Sequence, residues 1–125
     1  LEAETAGNPY VLQIALNYGG RADIVHAVNA LLAEGKTSVT ENDINAHLYT
    51  AGQPDPDLIV RTAGEMRLSN FLLWQCAYAE LYYTNKYWPA MTTADVDEAV
   101  YNFAHRKRRF GGLDKPDSVK KENLL

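Results

Sequence analysis

The chain has 125 residues, of which 46% are hydrophobic and 22% are charged, and its formal net charge is −4. This composition is typical of a folded globular domain and excludes a mainly disordered chain. It also excludes a general nucleic-acid binder, which would carry a surplus of basic residues. The single cysteine, Cys76, excludes an intramolecular disulfide and a cysteine-based zinc site, and so favours a reducing, cytoplasmic location.

The ends of the chain and its longest apolar run bear on targeting. The longest run, residues 71–79, contains Gln75 and is far shorter than the roughly 20 residues of a membrane span. No signal peptide opens the chain, and its first residue is Leu1 rather than Met. We therefore expect a chain that does not span a membrane and that is a processed chain, a shortened chain or a fragment.

Short apolar runs alternate with amphipathic ones in the first half of the chain. Residues 11–16 (VLQIAL) predict a buried strand. Apolar residues recur at helical spacing over 24–32, and Gly35 stands where a C-cap glycine belongs. Residues 40–43 (TEND) predict a capping box for a short helix that reaches about Tyr49.

The second half predicts two strands, over residues 58–61 and 81–84, and between them a buried helix over 71–78. A last helix, capped by Thr92 or Thr93, has an apolar face made of Val96, Ala99, Val100, Phe103 and Ala104. The alternation of strands and helices predicts an α/β fold with a largely parallel sheet flanked by helices. Three strands make a thin sheet, which indicates that part of the domain is absent or is supplied by a partner.

The loop over residues 61–70 is the strongest candidate for a binding site. Ligands of open α/β sheets bind beyond the carboxyl ends of the strands, and this loop follows a predicted strand. Arg61 and Arg67 supply forked donors for phosphate oxygens, and Ser69 or Asn70 can cap the helix that follows. The loop therefore predicts a phosphate-binding site.

A second loop, over residues 17–21, has a similar position but a weaker pattern. It leads into a helix N-terminus, where free backbone N–H groups favour anions. Gly19 and Gly20 fit either close approach to a phosphate or a simple tight turn. Neither loop matches a Walker A sequence or a dinucleotide fingerprint, so ATP, GTP and NAD have no positive support.

Other residues that could carry chemistry have ordinary structural interpretations. Glu80, just before the last predicted strand, is either a solvated carboxylate or a magnesium ligand, and its position alone favours the first. Cys76 is expected in the core. The aromatic stretch over residues 74–88 is expected in the core or at a subunit interface. The three histidines share no metal-ligand spacing and are expected at packing or surface positions: His26, His47 and His105.

Residues 61–75 (RTAGEMRLSNFLLWQ) closely resemble the signature of the cis-prenyltransferases, the family that includes the bacterial undecaprenyl diphosphate synthases. The resemblance covers nearly the whole chain up to Leu113. It is carried further by residues 16–21, 77–81, 88–89 and 108–112.

The resemblance implies an enzyme that condenses isopentenyl diphosphate onto an allylic diphosphate such as farnesyl diphosphate. Each step would add one cis isoprene unit, release diphosphate and use Mg²⁺. The expected product is a long-chain polyprenyl diphosphate, the precursor of a cell-wall lipid carrier. Family members form homodimers, and a lipid product implies peripheral contact with a membrane.

The resemblance also implies roles for single residues. In this sequence the isopentenyl diphosphate would be held by Arg61, Arg67, Leu68 and Ser69, and Mg²⁺ would be bound by Glu80. Leu12 and Ile14 would line a tunnel that holds the growing chain. Arg109 and Gly111 would reach the partner subunit's site.

One family motif has no counterpart. The N-terminal half of a family member carries Asp-Gly-Asn, whose aspartate binds the allylic diphosphate and magnesium. Residues 6–8 (AGN) offer only the Gly-Asn pair. We therefore expect no catalytic residue in this chain. Residues 1–112 would be the C-terminal part of a single cis-prenyltransferase domain, and 113–125 a flexible polar tail.

Two alternatives remain open at this point. The chain could be a non-catalytic partner subunit of a cis-prenyltransferase complex, or a phosphate-binding α/β domain outside the family. A partner subunit would be expected to lose its site residues. The retention of Arg61, Arg67, Ser69 and Glu80 therefore favours part of an active enzyme.

Overall fold

The computed structural model describes residues 7–106, which divide into two compact units. The first unit comprises residues 7–55 and 68–77, and the second comprises 56–67 and 78–106. The predicted tail over 113–125 lies outside the described residues. In chain order the elements are α1 (Gly20–Ala33), α2 (Glu41–Asn45), β1 (Leu58–Arg61), β2 (Glu80–Tyr83), a 3₁₀ turn (Trp88–Ala90) and α3 (Thr93–His105).

The core of the first unit lies between α1 and the region around α2. Ala27 and Leu31 of α1 are fully buried against Ile44 and Leu48, and Trp74 packs on the same cluster. The helical pattern predicted for α1 is thus confirmed. Gly35, just beyond the helix, has the positive φ (+82°) expected of a residue that ends a helix.

The second unit is built on β1 and β2, which pair in parallel from Leu58 opposite Glu80 to Arg61 opposite Tyr83. Helix α3 packs against β2 and buries Ala99 completely. β1 lies where the sequence predicted it, and β2 begins and ends one residue before the predicted range of 81–84. The parallel sheet with flanking helices confirms the α/β class. Within residues 7–106 the sheet has two strands rather than the expected three.

The strand predicted over residues 11–16 is wrong, because this segment has no regular secondary structure. Leu12 and Ile14 are 85% and 73% exposed. A strand exists only where its backbone N–H and C=O groups pair with a neighbouring strand, and in the described part of the chain no strand pairs with this segment.

The helix predicted over residues 71–78 is also wrong, because these residues form a series of turns. Ser69, Asn70 and Leu72 all have positive φ angles, which interrupt a right-handed helix. The expected burial holds for Gln75 and Cys76. No helix of the described residues is long and apolar enough to cross a membrane.

Helices α2 and α3 begin with the same capping device. The Thr40 hydroxyl accepts from the Asp43 N–H at 3.2 Å, and the Asp43 carboxylate accepts from the Thr40 N–H at 2.9 Å. Thr92 and Asp95 repeat this exchange at the start of α3. The capping box predicted for α2 is confirmed, although the helix ends at Asn45 rather than near Tyr49.

A lysine sits on each capping carboxylate. Lys36 lies 3.0 Å from Asp43, and Lys86 lies 2.5 Å from Asp95. The lysine contact, followed by the hydrogen bonds from the capping threonine, lowers the pKa of each aspartate from 3.8 to about 2. Both helix N-termini are thus held by ionised carboxylates at neutral pH.

We expect both capping boxes to open only in strong acid. A carboxyl whose pKa is lower in the folded chain contributes stability above pH 3.8 and loses it as the pH falls through about 2. Side-chain carboxyl NMR titration of Asp43 and Asp95 should give midpoints near 2. Lys36→Met and Lys86→Met should move the matching midpoint upward, and ordinary midpoints in the unsubstituted chain would contradict the assignment.

Candidate anion-binding site

The two arginines of the 61–70 loop meet on one carboxylate in the second unit. Arg61, the last residue of β1, donates through Nη2 to Oε2 of Glu65. Arg67 Nη2 lies 2.6 Å from the other oxygen, Oε1. The structure thus brings two predicted phosphate-binding residues together, through an acidic residue to which the sequence analysis gave no role. Its signal was an opposite charge four residues after Arg61 and two before Arg67.

This cluster of Arg61, Glu65 and Arg67 carries a net positive charge and is partly open to water. The side chains of Arg61 and Glu65 are each 35% exposed, while that of Arg67 is 64% exposed. The hydrogen bond from Arg61, together with the charge of Arg67, lowers the pKa of Glu65 and keeps it ionised. Two guanidinium groups and one carboxylate leave a charge of +2 − 1 = +1, which suits an anion with several oxygen acceptors.

The backbone between the two arginines is tied to the chain beyond β2. The Ala63 N–H donates to the Lys86 carbonyl at 2.8 Å, and the Gly64 N–H donates to the Thr84 carbonyl at 2.9 Å. A Cβ on Gly64 would lie 2.9 Å from the side-chain oxygen of Asn85. Because these N–H groups already have partners, an anion here would meet guanidinium groups rather than a glycine-rich backbone cradle.

Leu68 and Ser69 belong to the first unit and form the start of a turn. Ser69 is exposed and has a φ of 49°, and the Leu68 carbonyl accepts from the Phe71 N–H. The next residue, Asn70, accepts from the Gly20 N–H with its carbonyl (2.7 Å) and from the Arg21 N–H with its side-chain oxygen (2.9 Å). The prediction that Ser69 or Asn70 caps the following helix is therefore wrong, because Asn70 caps α1.

The same contact accounts for the glycines of the 17–21 loop. A Cβ on Gly19 would lie 2.7 Å from the Asn70 side-chain nitrogen, and one on Gly20 would lie 2.8 Å from the Leu73 nitrogen. Glycine is needed here so that the chain around residues 70–73 can approach α1. The first two N–H groups of α1 are occupied by Asn70, so this helix end lacks the free donors that the phosphate interpretation required.

Glu80 begins β2 and lies at the opposite end of the strand pair from Arg61. Its carboxylate accepts from Arg106 Nη1 at 3.0 Å, and the same nitrogen donates to the Leu81 carbonyl. Within residues 7–106, no group of three or more His, Cys, Asp and Glu side chains is arranged to hold a metal ion. Glu80 therefore belongs to no such group in the described part of the chain, and its assignment to magnesium stays a prediction.

The predicted tunnel residues lie in the first unit. Ile14 lines an open pocket of about 620 Å³ whose wall includes Tyr49, Phe71 and Leu72. Leu12 does not line this pocket and is exposed. The assignment of these two residues to a tunnel stays a prediction.

The histidines and the cysteine make structural contacts. His26 stacks on Tyr49 with ring centroids 4.6 Å apart. His47 contacts a Glu34 carboxylate oxygen at 2.9 Å, and this contact raises the pKa of the imidazole. The His105 ring contacts the Tyr101 carbonyl at 2.8 Å. Cys76 is buried, and its burial raises the pKa of the thiol.

Comparison with known proteins shows the family to which the chain belongs. Residues 1–111 match the family model of the undecaprenyl diphosphate synthases. The chain belongs to this prenyltransferase family. Among curated relatives, an isoprenyl transferase of Chromobacterium violaceum is 50% identical, with 98% of this chain and 50% of the relative covered. An isoprenyl transferase of Fusobacterium nucleatum is 52% identical, with 90% and 49% covered. The chain spans about half the length of these relatives.

Solved structures of prenyl diphosphate synthases share the fold. A probable undecaprenyl diphosphate synthase of Campylobacter jejuni aligns with a TM-score of 0.70 and 34% identity over 78% of this chain and 45% of its own. Lavandulyl diphosphate synthase of Lavandula x intermedia, in complex with dimethylallyl diphosphate, gives 0.72 and 40% over 78% and 44%. The resemblance to the cis-prenyltransferases is thereby confirmed.

The undecaprenyl diphosphate synthase match includes two predicted site residues beyond the described structure. Arg109 and Gly111 fall within the matched residues 1–111 but outside residues 7–106. Their assignment to the partner subunit's site therefore stays a prediction. The described candidate site of this prenyltransferase chain is the cluster of Arg61, Glu65 and Arg67.

Proposed function

We propose that this chain supplies the isopentenyl-diphosphate-binding half of a cis-prenyltransferase. The complete enzyme would condense isopentenyl diphosphate onto an allylic diphosphate, such as farnesyl diphosphate, to make a long-chain polyprenyl diphosphate. The observation that carries the proposal is the meeting of Arg61 and Arg67 at the carboxyl end of β1. Two forked guanidinium groups offer the several donors that a diphosphate requires.

The proposed reaction joins two substrates whose positions decide the rate. The bond between the allylic carbon and its diphosphate oxygen breaks, the isopentenyl double bond forms the new carbon–carbon bond, and a proton leaves. Arg61 and Arg67 would hold the diphosphate of the isopentenyl substrate and so keep its double bond in near-attack geometry. The further assignment of Leu68 and Ser69 to this substrate rests on the family resemblance alone.

The allylic substrate would bind to the part of the enzyme that this chain does not include. The relatives are about twice as long, and we place the aspartate of the Asp-Gly-Asn motif in that other part.

A homodimer is proposed as well, since Tyr87 and Trp88 expose large aromatic surfaces in the second unit. The lipid product would bring the enzyme into peripheral contact with a membrane. This product would be the precursor of a cell-wall lipid carrier.

Mg²⁺ is proposed as the cofactor, with Glu80 as one of its ligands. The ion, when bound, would neutralise negative charge on the leaving diphosphate. Mg²⁺ commonly takes one or two carboxylates together with substrate phosphate oxygens and water, so a single ligand from this chain is sufficient. Glu80 would first have to leave Arg106.

Glu80→Gln should lower the activity of the complete enzyme and raise the magnesium concentration needed for half-maximal rate. The amide is a weaker ligand than the carboxylate but has the same shape. Glu41→Gln, at an exposed position of α2, is the matched control. An unchanged magnesium titration for Glu80→Gln would contradict the assignment.

The proposed function can be tested with a chimera. The part of the Chromobacterium violaceum relative that lies outside its match would be joined to the N-terminal side of this chain. The chimera and this chain alone would each be incubated with farnesyl diphosphate, labelled isopentenyl diphosphate and Mg²⁺. The label that enters lipid would be measured. We expect incorporation by the chimera and none by this chain alone.

Each other result has a definite meaning. Incorporation by this chain alone would show that the allylic site does not need the other half. An inactive chimera, beside an active full-length relative, would contradict the proposed half-site and favour the partner-subunit alternative.

A further inference from the structure

Glu65 engages both arginines, but it holds them unequally. Its two carboxylate oxygens are divided between them, one contacting Arg61 and the other Arg67. The pair with Arg61 is the more sheltered, because both side chains are 35% exposed. Arg67 is 64% exposed, and ion pairs of such well-solvated groups contribute little stability. Arg67 is therefore the guanidinium that can leave Glu65 more easily.

A carboxylate and a phosphate bind a guanidinium by the same forked pair of hydrogen bonds. Glu65 thus occupies donors of Arg67 that a diphosphate would use. A diphosphate brings more negative charge and more acceptor oxygens than one carboxylate. It can therefore displace Glu65 from Arg67, while the sheltered Arg61–Glu65 pair keeps the loop anchored at the end of β1.

We propose that Glu65 is an internal anion that occupies Arg67 until a diphosphate group displaces it. This inference rests on the proposed function, because it takes the cluster to be a diphosphate site. Glu65 would then be a positioning residue with two effects. It holds Arg67 at the site before the substrate arrives, and it weakens the final complex by competing for the same donors, which eases ligand exchange between rounds of chain elongation.

The test measures binding of inorganic pyrophosphate to the full 125-residue chain by isothermal titration calorimetry. Glu65→Gln removes the competing charge and keeps the side-chain shape. We expect the Kd for pyrophosphate to fall by about fivefold, the change that corresponds to an exposed ion pair worth about 1 kcal/mol. Glu41→Gln makes the same change in net charge on α2 and should leave the Kd unchanged.

An Arg67→Ala background separates competition for Arg67 from a general effect of charge. If Glu65 acts through Arg67, Glu65→Gln should change the Kd little once Arg67 is absent. A full fivefold tightening in that background would overturn the exchange of Arg67. Weaker or unchanged binding of pyrophosphate by the single variant Glu65→Gln would overturn the internal-anion role altogether.

The two proposals fail in different ways. If the unsubstituted chain does not bind pyrophosphate, the diphosphate site itself is wrong and both proposals fall. If it binds pyrophosphate and Glu65→Gln does not tighten the complex, only the role of Glu65 is wrong.

Discussion

Arg67→Ala should lower kcat/KM for isopentenyl diphosphate by about 10- to 100-fold in the active chimera, because a hydrogen bond to a charged group contributes about 1.5–3 kcal/mol. The KM for the isopentenyl substrate should rise, whereas the KM for the allylic substrate, which we place in the other half of the enzyme, should stay near its original value. Steady-state rates with each substrate varied in turn would measure both effects.

Two further variants make this result specific. Arg67→Lys keeps the charge but loses the planar fork, so it should recover only part of the activity. Lys36→Ala removes one positive charge from the region of α2 and should leave both kinetic constants near their original values. Equal rises in KM for the two substrates, or no loss of activity with Arg67→Ala, would contradict the assignment of Arg67 to isopentenyl diphosphate.

Asp23→Leu should destabilise the chain by at least about 2 kcal/mol, because the Tyr18 hydroxyl and the Tyr49 N–H lose their acceptor and each unsatisfied donor costs about 1–3 kcal/mol. The Gln75 side chain keeps its hydrogen bond to Thr50. Asp23 is 1% exposed and lies in the first turn of α1. It accepts hydrogen bonds from the Tyr18 hydroxyl at 2.8 Å, the Tyr49 N–H at 2.9 Å and the Gln75 side-chain nitrogen at 3.1 Å.

The neighbouring tyrosine reports on the same carboxylate. Burial, with the hydrogen bond to Asp23 second, raises the pKa of Tyr18 to about 12. Urea unfolding would measure the stability of Asp23→Leu beside two milder variants. Tyr18→Phe removes a single hydrogen bond and should cost about 1 kcal/mol, while Asp23→Asn should fall between them. An Asp23→Leu chain as stable as Tyr18→Phe would show that Asp23 does not organise this region.

Much of the fold could be predicted because its signals are local. The spacing of apolar residues predicts the strand over 58–61 and the helical face around Ala27 and Leu31. Two residues three positions apart, Thr40 and Asp43, predict the capping box. The two wrong elements depend on distant partners. Residues 11–16 have the composition of a strand, but a strand also needs a neighbouring strand to pair with. The helix predicted over 71–78 is preceded by Asn70, which has a positive φ and caps a helix that begins 50 residues earlier in the chain.

The candidate site shows the same division. Arg61 and Arg67 could be named as candidates, since arginines at or beyond a strand end suggest anion binding whatever their partners. Glu65 could not, because its role depends on which oxygen reaches which guanidinium. Asp23 was missed for a related reason. In the sequence Asp23 is an acidic residue in the first turn of a helix, and its favourable interaction with the helix dipole is enough to explain that position. Only the structure shows the three donors that contact it.

The order of segments along the chain has a consequence for folding. The first unit includes residues 68–77, which lie between the two strands of the second unit, so neither unit is a continuous stretch of sequence. Pairing β1 with β2 closes residues 62–79 into a loop, and the entropic cost of such a closure grows only slowly with loop length. Once the ladder forms, the tethered segment searches a much smaller volume for the start of α1. A truncation from either terminus that keeps one unit whole therefore always leaves a segment of the other unit attached.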